Sequence, residues 1–415
     1  MWRKVAAASL VLAPVALAVS TGIDPALGDD QGYGVYRRHP EATQWHSLLL
    51  HWAWVLCVPG FLGLLALVRR RGAVLAGVAW VATVLGLVTF SALMAADFGL
   101  LSLEQQAGLT DAQLASYDDR VGAMGWAVAG WQIPGILGWA VALVVTPLAA
   151  ARARVINWWT AGLAVLGAAL YLLFAISPVP LCLTGPVVLI VAYGMAARQL
   201  MRFSPPDERD VFGVLRRRVG LACLIAAPLS FAVGMATVPP GDDFVGYPAL
   251  SQASAFFLHL AWVLFIPAVL TVAARGGRFT RVVAGLAVLG LINFSALMFG
   301  DYLDLAARQA LGDAVADRAA ELTGGYATFA LGWVLPGMVL TFLGLILVAV
   351  GAAVDKLVRW WVPVIVVAGF AGFFLLGLGP IGVVGPLVLV AGFGLMAVAL
   401  AAPATSRGEP VAVSS

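Results

Sequence analysis

The chain has 415 residues, of which 62% are hydrophobic and 11% are charged, and its mean hydropathy is +0.98. Soluble globular proteins are about 45–50% apolar and about 25% charged, so this composition excludes that class and indicates a polytopic membrane protein. The formal net charge of +3 does not indicate nucleic-acid binding, because the basic residues follow the membrane topology described below.

Apolar stretches of about 20 residues, the length that crosses a bilayer as a helix, recur along the whole chain. They predict an all-α membrane protein with about twelve spans near 5–21, 46–67, 73–97, 122–149, 157–177, 180–200, 217–237, 254–273, 281–300, 325–350, 358–378 and 380–401. Between spans, residues 101–120 and 302–322 mix apolar and charged residues at helical spacing, which predicts two interfacial helices on the outer side. Thr110 is positioned to cap the first of them.

Charge in the loops predicts the orientation of the chain. If the N-terminus is cytoplasmic, only five of the 24 Lys and Arg residues lie outside, whereas sixteen of the 21 Asp and Glu residues lie outside or at that boundary. Because Lys and Arg are retained on the cytoplasmic side, both termini are predicted to be cytoplasmic. The Ala-, Val-, Leu- and Gly-rich composition is typical of a high-GC bacterial genome and indicates the bacterial plasma (inner) membrane.

Short motifs recur in the same order in the two parts of the chain. The matched stretches are 3–14 and 217–228, 51–56 and 259–264, 90–94 and 294–298, 131–135 and 333–337, 158–159 and 360–361, and 185–186 and 385–386. The offset falls from 214 to 200 and drifts where loops intervene, which predicts a duplication. We therefore predict two parallel six-helix repeats, 1–200 and 217–401, with a cytoplasmic linker at 201–216 and a flexible cytoplasmic tail at 402–415. The first stretch has a mid-chain counterpart, so we expect a retained helix there rather than a signal peptide.

Three loose motifs mark each unit. A His-x-x-Trp helix ends in Leu-Val-Arg-Arg-Arg-Gly at 67–72, an Asp stands at the outer end of the next span, and Arg-Ala-Arg-Val at 152–155 precedes Trp158-Trp159. With these motifs each half resembles uncharacterised six-helix membrane proteins of high-GC bacteria. The resemblance implies a six-helix membrane fold for each half, here in tandem, and implies no activity.

Ionisable residues inside apolar spans are costly and are therefore the first candidates for a functional site. His51 lies about 7 Å inside the second span at 1.5 Å per residue, and Asp97 ends the third span, which runs the opposite way. His259 and Asp301 repeat this arrangement, so we predict the pairs His51–Asp97 and His259–Asp301. Such pairs either bind a ligand or only hold two helices together. The predicted ligand-binding residues are His51, Asp97, Trp54, Ser91 and Trp131 in the first half, and His259, Asp301, Trp262, Ser295 and Trp333 in the second.

Two other kinds of site are weaker hypotheses. His39, His46 and His51 are weak candidates for a zinc or haem site, together with the loop pair at 29–30, and only in the first half because Ser254 replaces His46 in the second. A Ser91–His51–Asp97 hydrolase is less favoured still, because Ser91 lies about 9 Å deeper than Asp97 along the helix and no G-x-S-x-G motif is present. We assign no catalytic residue, no metal and no cofactor.

The sequence leaves alternative functions open. The favoured one is a carrier or binding protein for a small molecule, hydrophobic ones included, with an outward-opening site between the repeats. The alternative is a non-enzymatic membrane subunit that binds a protein or peptide partner on its acidic outer face. A metal- or haem-binding protein is a third option, and the lipid bilayer is the one partner common to all of them.

Overall fold

The computed structural model describes residues 2–27, 32–204 and 208–402. Within these ranges the chain is 85% helical and has no strand, which confirms an all-α polytopic membrane protein. The loop pair at 29–30, part of the predicted linker at 205–207, and all but the first residue of the predicted tail lie outside the described residues.

Fourteen main helices form the described part of the fold. In chain order they are α1 (Trp2–Gly22), α2 (Pro40–Leu65), α3 (Ala73–Glu104), α4 (Asp111–Ala123), α5 (Gly125–Arg152), α6 (Trp158–Phe174), α7 (Leu181–Arg202), α8 (Val211–Ala236), α9 (Pro248–Arg275), α10 (Arg278–Leu311), α11 (Asp313–Gly325), α12 (Ala327–Val354), α13 (Val362–Leu376) and α14 (Ile381–Ala401). Ten of them are long and apolar enough to cross a membrane. The apolar helices α6 and α13 are shorter, with 17 and 15 residues, so a total of twelve spans stays a prediction.

The helices of the first half (residues 2–202) pack in the same pairs as those of the second half (residues 211–401). In the first half α1 packs on α2 and α7, α3 on α5, and α6 on α7. In the second half α8 packs on α9 and α14, α10 on α12, and α13 on α14. Glycines allow the closest crossing, because a Cβ on Gly86 of α3 would overlap the backbone of Gly138 on α5.

The amphipathic helices begin later in the chain than predicted. The helix α3 continues to Glu104 and α10 to Leu311, so the predicted interfacial helices over 101–120 and 302–322 are wrong in their first parts. These parts extend the preceding spans because their apolar residues remain packed in the protein. The predicted cap is confirmed: the Thr110 hydroxyl accepts the backbone N–H of Gln113, and the Gln113 side chain accepts the N–H of Thr110. We call the side that carries α4 and α11 the outer side.

Helices cross between the halves on the outer side. There α4 packs on α10, and α11 packs on α3, so each amphipathic helix covers a span of the other half. An apolar cluster with residues from both halves fills this region, including Phe98, Trp131, Phe299, Tyr302 and Trp333. The halves therefore meet through a packed core on this side.

Prolines shape the two helices that carry the central tryptophans. A π-helical turn precedes Pro134 in α5 and another precedes Pro336 in α12. Proline has no N–H, so an α-helix would leave the carbonyl four residues earlier without its donor. For Pro336 that carbonyl belongs to Gly332, and the indole N–H of Trp52 from the first half donates to it at 3.0 Å. The helix irregularity thus creates a contact between the halves.

Candidate functional site

The ring of His51 on α2 is buried where the two halves meet. Its Nδ1 donates to the backbone carbonyl of Ser91 on α3, at 3.0 Å. Its Nε2 lies 3.0 Å from Oδ1 of Asn293, which belongs to α10 of the second half. The amide nitrogen of Asn293 donates to the carbonyl of Leu289, which orients this side chain.

The ring of His259 on α9 makes the reverse set of contacts. Its Nδ1 donates to the backbone carbonyl of Ser295 at 3.3 Å. The hydroxyl of Thr89, on α3 of the first half, donates to Nε2 at 2.9 Å. Each histidine therefore bonds to a backbone carbonyl of its own half and to a side chain of the other half.

A tryptophan from the opposite half stacks on each ring. The centroid distance is 3.5 Å between His51 and Trp333, and 3.8 Å between His259 and Trp131. The two indole N–H groups donate to the backbone carbonyls of Asn293 and Thr89, at 3.1 and 2.9 Å. We call this set the crossed interface: His51, Asn293 and Trp333 together with His259, Thr89 and Trp131.

Both predicted His–Asp pairs are wrong. Each imidazole has both nitrogens occupied as described above, and neither contacts Asp97 or Asp301 in the described part of the chain. The physical reason is depth: His51 is level with Ser91, which lies six residues, or about 9 Å of helix, before Asp97.

The remaining predicted site residues lie apart from the histidine nitrogens. The hydroxyls of Ser91 and Ser295 donate to carbonyls of their own helices, at Val88 and Ile292, so the Ser91–His51–Asp97 triad does not form. Trp54 packs edge-on against the rings of Phe90, Trp139 and Tyr171 in the first half. Trp262 packs among phenylalanines of the second half. Both tryptophans belong to the cores of their own halves.

Asp97 instead belongs to a polar cluster at the outer end of the first half. The hydroxyl of Ser47 donates to its Oδ2 at 2.7 Å, and the phenol of Tyr36 donates to its Oδ1 at 3.3 Å. The Asp97 carboxylate and burial raise the pKa of Tyr36 above its ordinary value, so this phenol remains a donor. We call Asp24, Tyr36, His46, Ser47 and Asp97 the outer cluster.

His46 is the centre of the outer cluster. Its Nδ1 donates to the backbone carbonyl of Ser20 at 2.9 Å, and the Ser20 hydroxyl donates to the carbonyl of His46. Its Nε2 makes no hydrogen bond in the described chain and faces the carboxylates of Asp24 and Asp97, at 3.6 and 3.9 Å. The three side chains are 7, 14 and 23% exposed, so the cluster is mostly buried but has an open edge.

The second half has no equivalent of the outer cluster. Ser254 stands at the position of His46 and donates to the carbonyl of Gly234, and Ala255 stands at the position of Ser47. Asp301 is exposed and has no hydrogen-bond or ion-pair partner among the described residues. The two predicted aspartates thus have different surroundings.

The three metal candidates do not converge. His39 is exposed at the start of α2, His46 belongs to the outer cluster and His51 to the crossed interface. Among the described residues, no group of three His, Cys, Asp or Glu side chains is arranged to hold a metal ion.

The sequence prediction missed the polar partners of the site. Thr89 and Asn293 each stand two residues before the serine of the repeated Phe-Ser-Ala-Leu-Met motif, and this common position was the available signal for the crossed interface. Asp24, Tyr36 and Ser47 have no such signal, because nothing in the second half matches their cluster. Comparisons with protein-family models, curated proteins and solved structures found no match for this chain.

Proposed function

We propose that the protein is a carrier or binding protein for a small molecule, and that its site is the outer cluster rather than the crossed interface. The observation that carries this proposal is the buried Nε2 of His46, which has no hydrogen bond and faces two carboxylates. Ionisable groups in membrane segments are costly and are retained where they bind or transfer something. A polar ligand between these three groups would give each of them a partner.

The crossed interface is less suitable as a binding site. Both nitrogens of His51 and His259 already contact protein groups, and one face of each ring is covered by an indole. A ligand would have to displace contacts that join the two halves. We therefore assign this interface a structural role, in which the first half and the second half are fixed to each other.

A role in binding a protein partner on the acidic outer face has less support. Much of that acidic charge is paired within the chain: Arg308 binds Asp304, Asp313 and Asp317, and Arg318 binds Glu321. Paired carboxylates present less free charge to a basic partner. The site of the outer cluster is therefore the better candidate.

Solute-dependent thermal unfolding in lipid nanodiscs tests the proposed function. The solutes are methylammonium, acetate, glucose and hexanol, and the proteins are the wild type, Asp97→Asn and the matched control Asp301→Asn. We expect at least one solute to stabilise the wild type and the control by about 1.4 kcal/mol at ten times its Kd, and to have no such effect on Asp97→Asn. If no solute distinguishes Asp97→Asn from the control, the proposal is wrong.

A further inference from the structure

The hydrogen-bonding capacity of the outer cluster defines the chemistry of its ligand. A backbone carbonyl can only accept, so the contact with Ser20 fixes a hydrogen on Nδ1 of His46. A neutral imidazole then has its lone pair on Nε2. That lone pair faces Oδ2 of Asp24 and Oδ2 of Asp97, so three acceptors face one another.

The carboxylates are held in this orientation by donors from the protein. Asp97 accepts from Tyr36 and Ser47, and Oδ1 of Asp24 accepts the backbone N–H of Ala26 at 2.9 Å. Oδ2 of Asp24 has no protein hydrogen-bond donor in the described chain. A group that joins the three acceptors must therefore bring N–H or O–H donors, and positive charge favours it because two carboxylates face the space.

Resting on the proposed function, we propose that the outer cluster binds a primary ammonium group and that this group enters in exchange for the proton on Nε2 of His46. An ammonium has three N–H donors and no acceptor, which matches one imidazole nitrogen and two carboxylate oxygens. The described residues offer no metal-ligand group, which favours a hydrogen-bonding cation over a metal ion.

The exchange conserves charge. In the free protein a proton on Nε2 faces the two carboxylates, and His46, Asp24 and Asp97 carry a formal charge of −1 together. When the ammonium binds, Nε2 must accept a hydrogen bond, so its N–H bond breaks and the proton leaves to water at the open edge. One proton is released for each ammonium bound, and the formal charge of the occupied cluster stays at −1.

Other titratable groups surround the cluster on each packed element. Glu104, at the end of α3, accepts the backbone N–H of Arg37 at 2.9 Å and is buried. The raised pKa of Tyr36 keeps its phenol protonated throughout the range in which histidine titrates. Tyr171 on α6 and Cys182 at the start of α7 face Asp24. Within this set His46 is the group whose proton the ligand must replace.

Calorimetry with methylammonium tests the proton exchange. Titrations of the full chain in nanodiscs, in two buffers of different ionisation enthalpy, count the protons released per ligand between about pH 5 and 8. We expect release of one proton at the acidic end, and an affinity that rises about tenfold per pH unit there and levels off at higher pH. Tetramethylammonium, a cation without N–H donors, should bind at least about tenfold more weakly.

The variants separate the role of His46 from that of the carboxylates. His46→Gln keeps an acceptor oxygen but cannot titrate, so it should bind methylammonium without proton release and without the pH slope. Asp97→Asn should weaken binding about tenfold or more, whereas Asp301→Asn should bind as the wild type does. If His46→Gln does not fold, the proton count and the pH slope of the wild type decide alone.

The outcomes distinguish this inference from the proposed function. Methylammonium binding without proton release, equal binding of tetramethylammonium, or an unchanged pH slope in His46→Gln would overturn the inference. If acetate, glucose or hexanol instead requires Asp97, the inference fails and the proposed function stands. If no solute requires Asp97, both fail.

Discussion

Replacing His51 with alanine tests whether the crossed interface fixes the two halves together. The substitution removes the contacts of the ring with the Ser91 carbonyl and the Asn293 amide, and it uncovers one face of Trp333. All of these groups are buried, so water does not readily replace what is lost.

The magnitude follows from these three contacts. Leaving a buried hydrogen-bonding partner unsatisfied costs about 1–3 kcal/mol, although hydrogen bonds between membrane helices average nearer 0.6 kcal/mol. An aromatic stack adds about 0.5–1.5 kcal/mol. We therefore expect His51→Ala to lower the free energy of unfolding by about 2–4 kcal/mol, and a double-mutant cycle with Trp333→Ala to give a coupling of about 1 kcal/mol.

The assay is reversible unfolding in mixed detergent micelles, with His39→Ala as the matched control. His39 is exposed, so its replacement should change stability by less than about 0.5 kcal/mol. A change of that small size for His51→Ala would refute the structural role of the crossed interface. If His51→Ala kept its stability but lost solute binding, the ring would belong to a ligand cavity, as the sequence first indicated.

Three further predictions concern the helix ends and the topology. The Thr280 hydroxyl and a backbone N–H at the start of α10 hold the pKa of Asp355 below its ordinary value, so the folded state is stabilised by the ionised carboxylate at neutral pH, and this stabilisation is lost as the pH falls through the folded pKa. Asp355→Asn should therefore melt below the wild type at pH 7, and the difference should shrink below about pH 4. Trp52→Phe removes only the donor to Gly332 and should lower the free energy of unfolding by about 1 kcal/mol, while Trp45→Phe at an exposed position should be neutral in the same assay. Accessibility reporters in the linker before α8 and in the loop between α3 and α4 should report the cytoplasm and the outside, and the reverse result would refute the predicted orientation.

The fold class was predictable because a bilayer imposes one length and one composition on every span. The helix ends were less predictable. The residues from Leu101 to Glu104 contain a charge, which is typical of a surface segment, yet α3 continues through them because other residues there pack against the second half. A sequence pattern does not include this tertiary packing.

The repeated motifs identified residues that meet, but they did not identify the partners. His51, Ser91 and Trp333 were all predicted site residues, and the structure brings them together. The prediction assumed that each histidine pairs within its own half, whereas its stacking partner comes from the other half. A π-helical turn before Pro336 determines where Trp333 lies, and α-helical counting along the sequence does not include such a turn.

Comparison of the two halves also explains why the outer cluster was overlooked. A search for residues present in both halves selects what the halves share, and they share the contacts that join them, in which His51 and His259 have equivalent roles. The group that distinguishes the halves is His46 with its two carboxylates, which the second half replaces with Ser254 and an exposed Asp301. In a duplicated chain, binding chemistry needs to occur only once, whereas an interface needs both sides. The shared residues are therefore the better guide to assembly, and the unshared ones to the ligand.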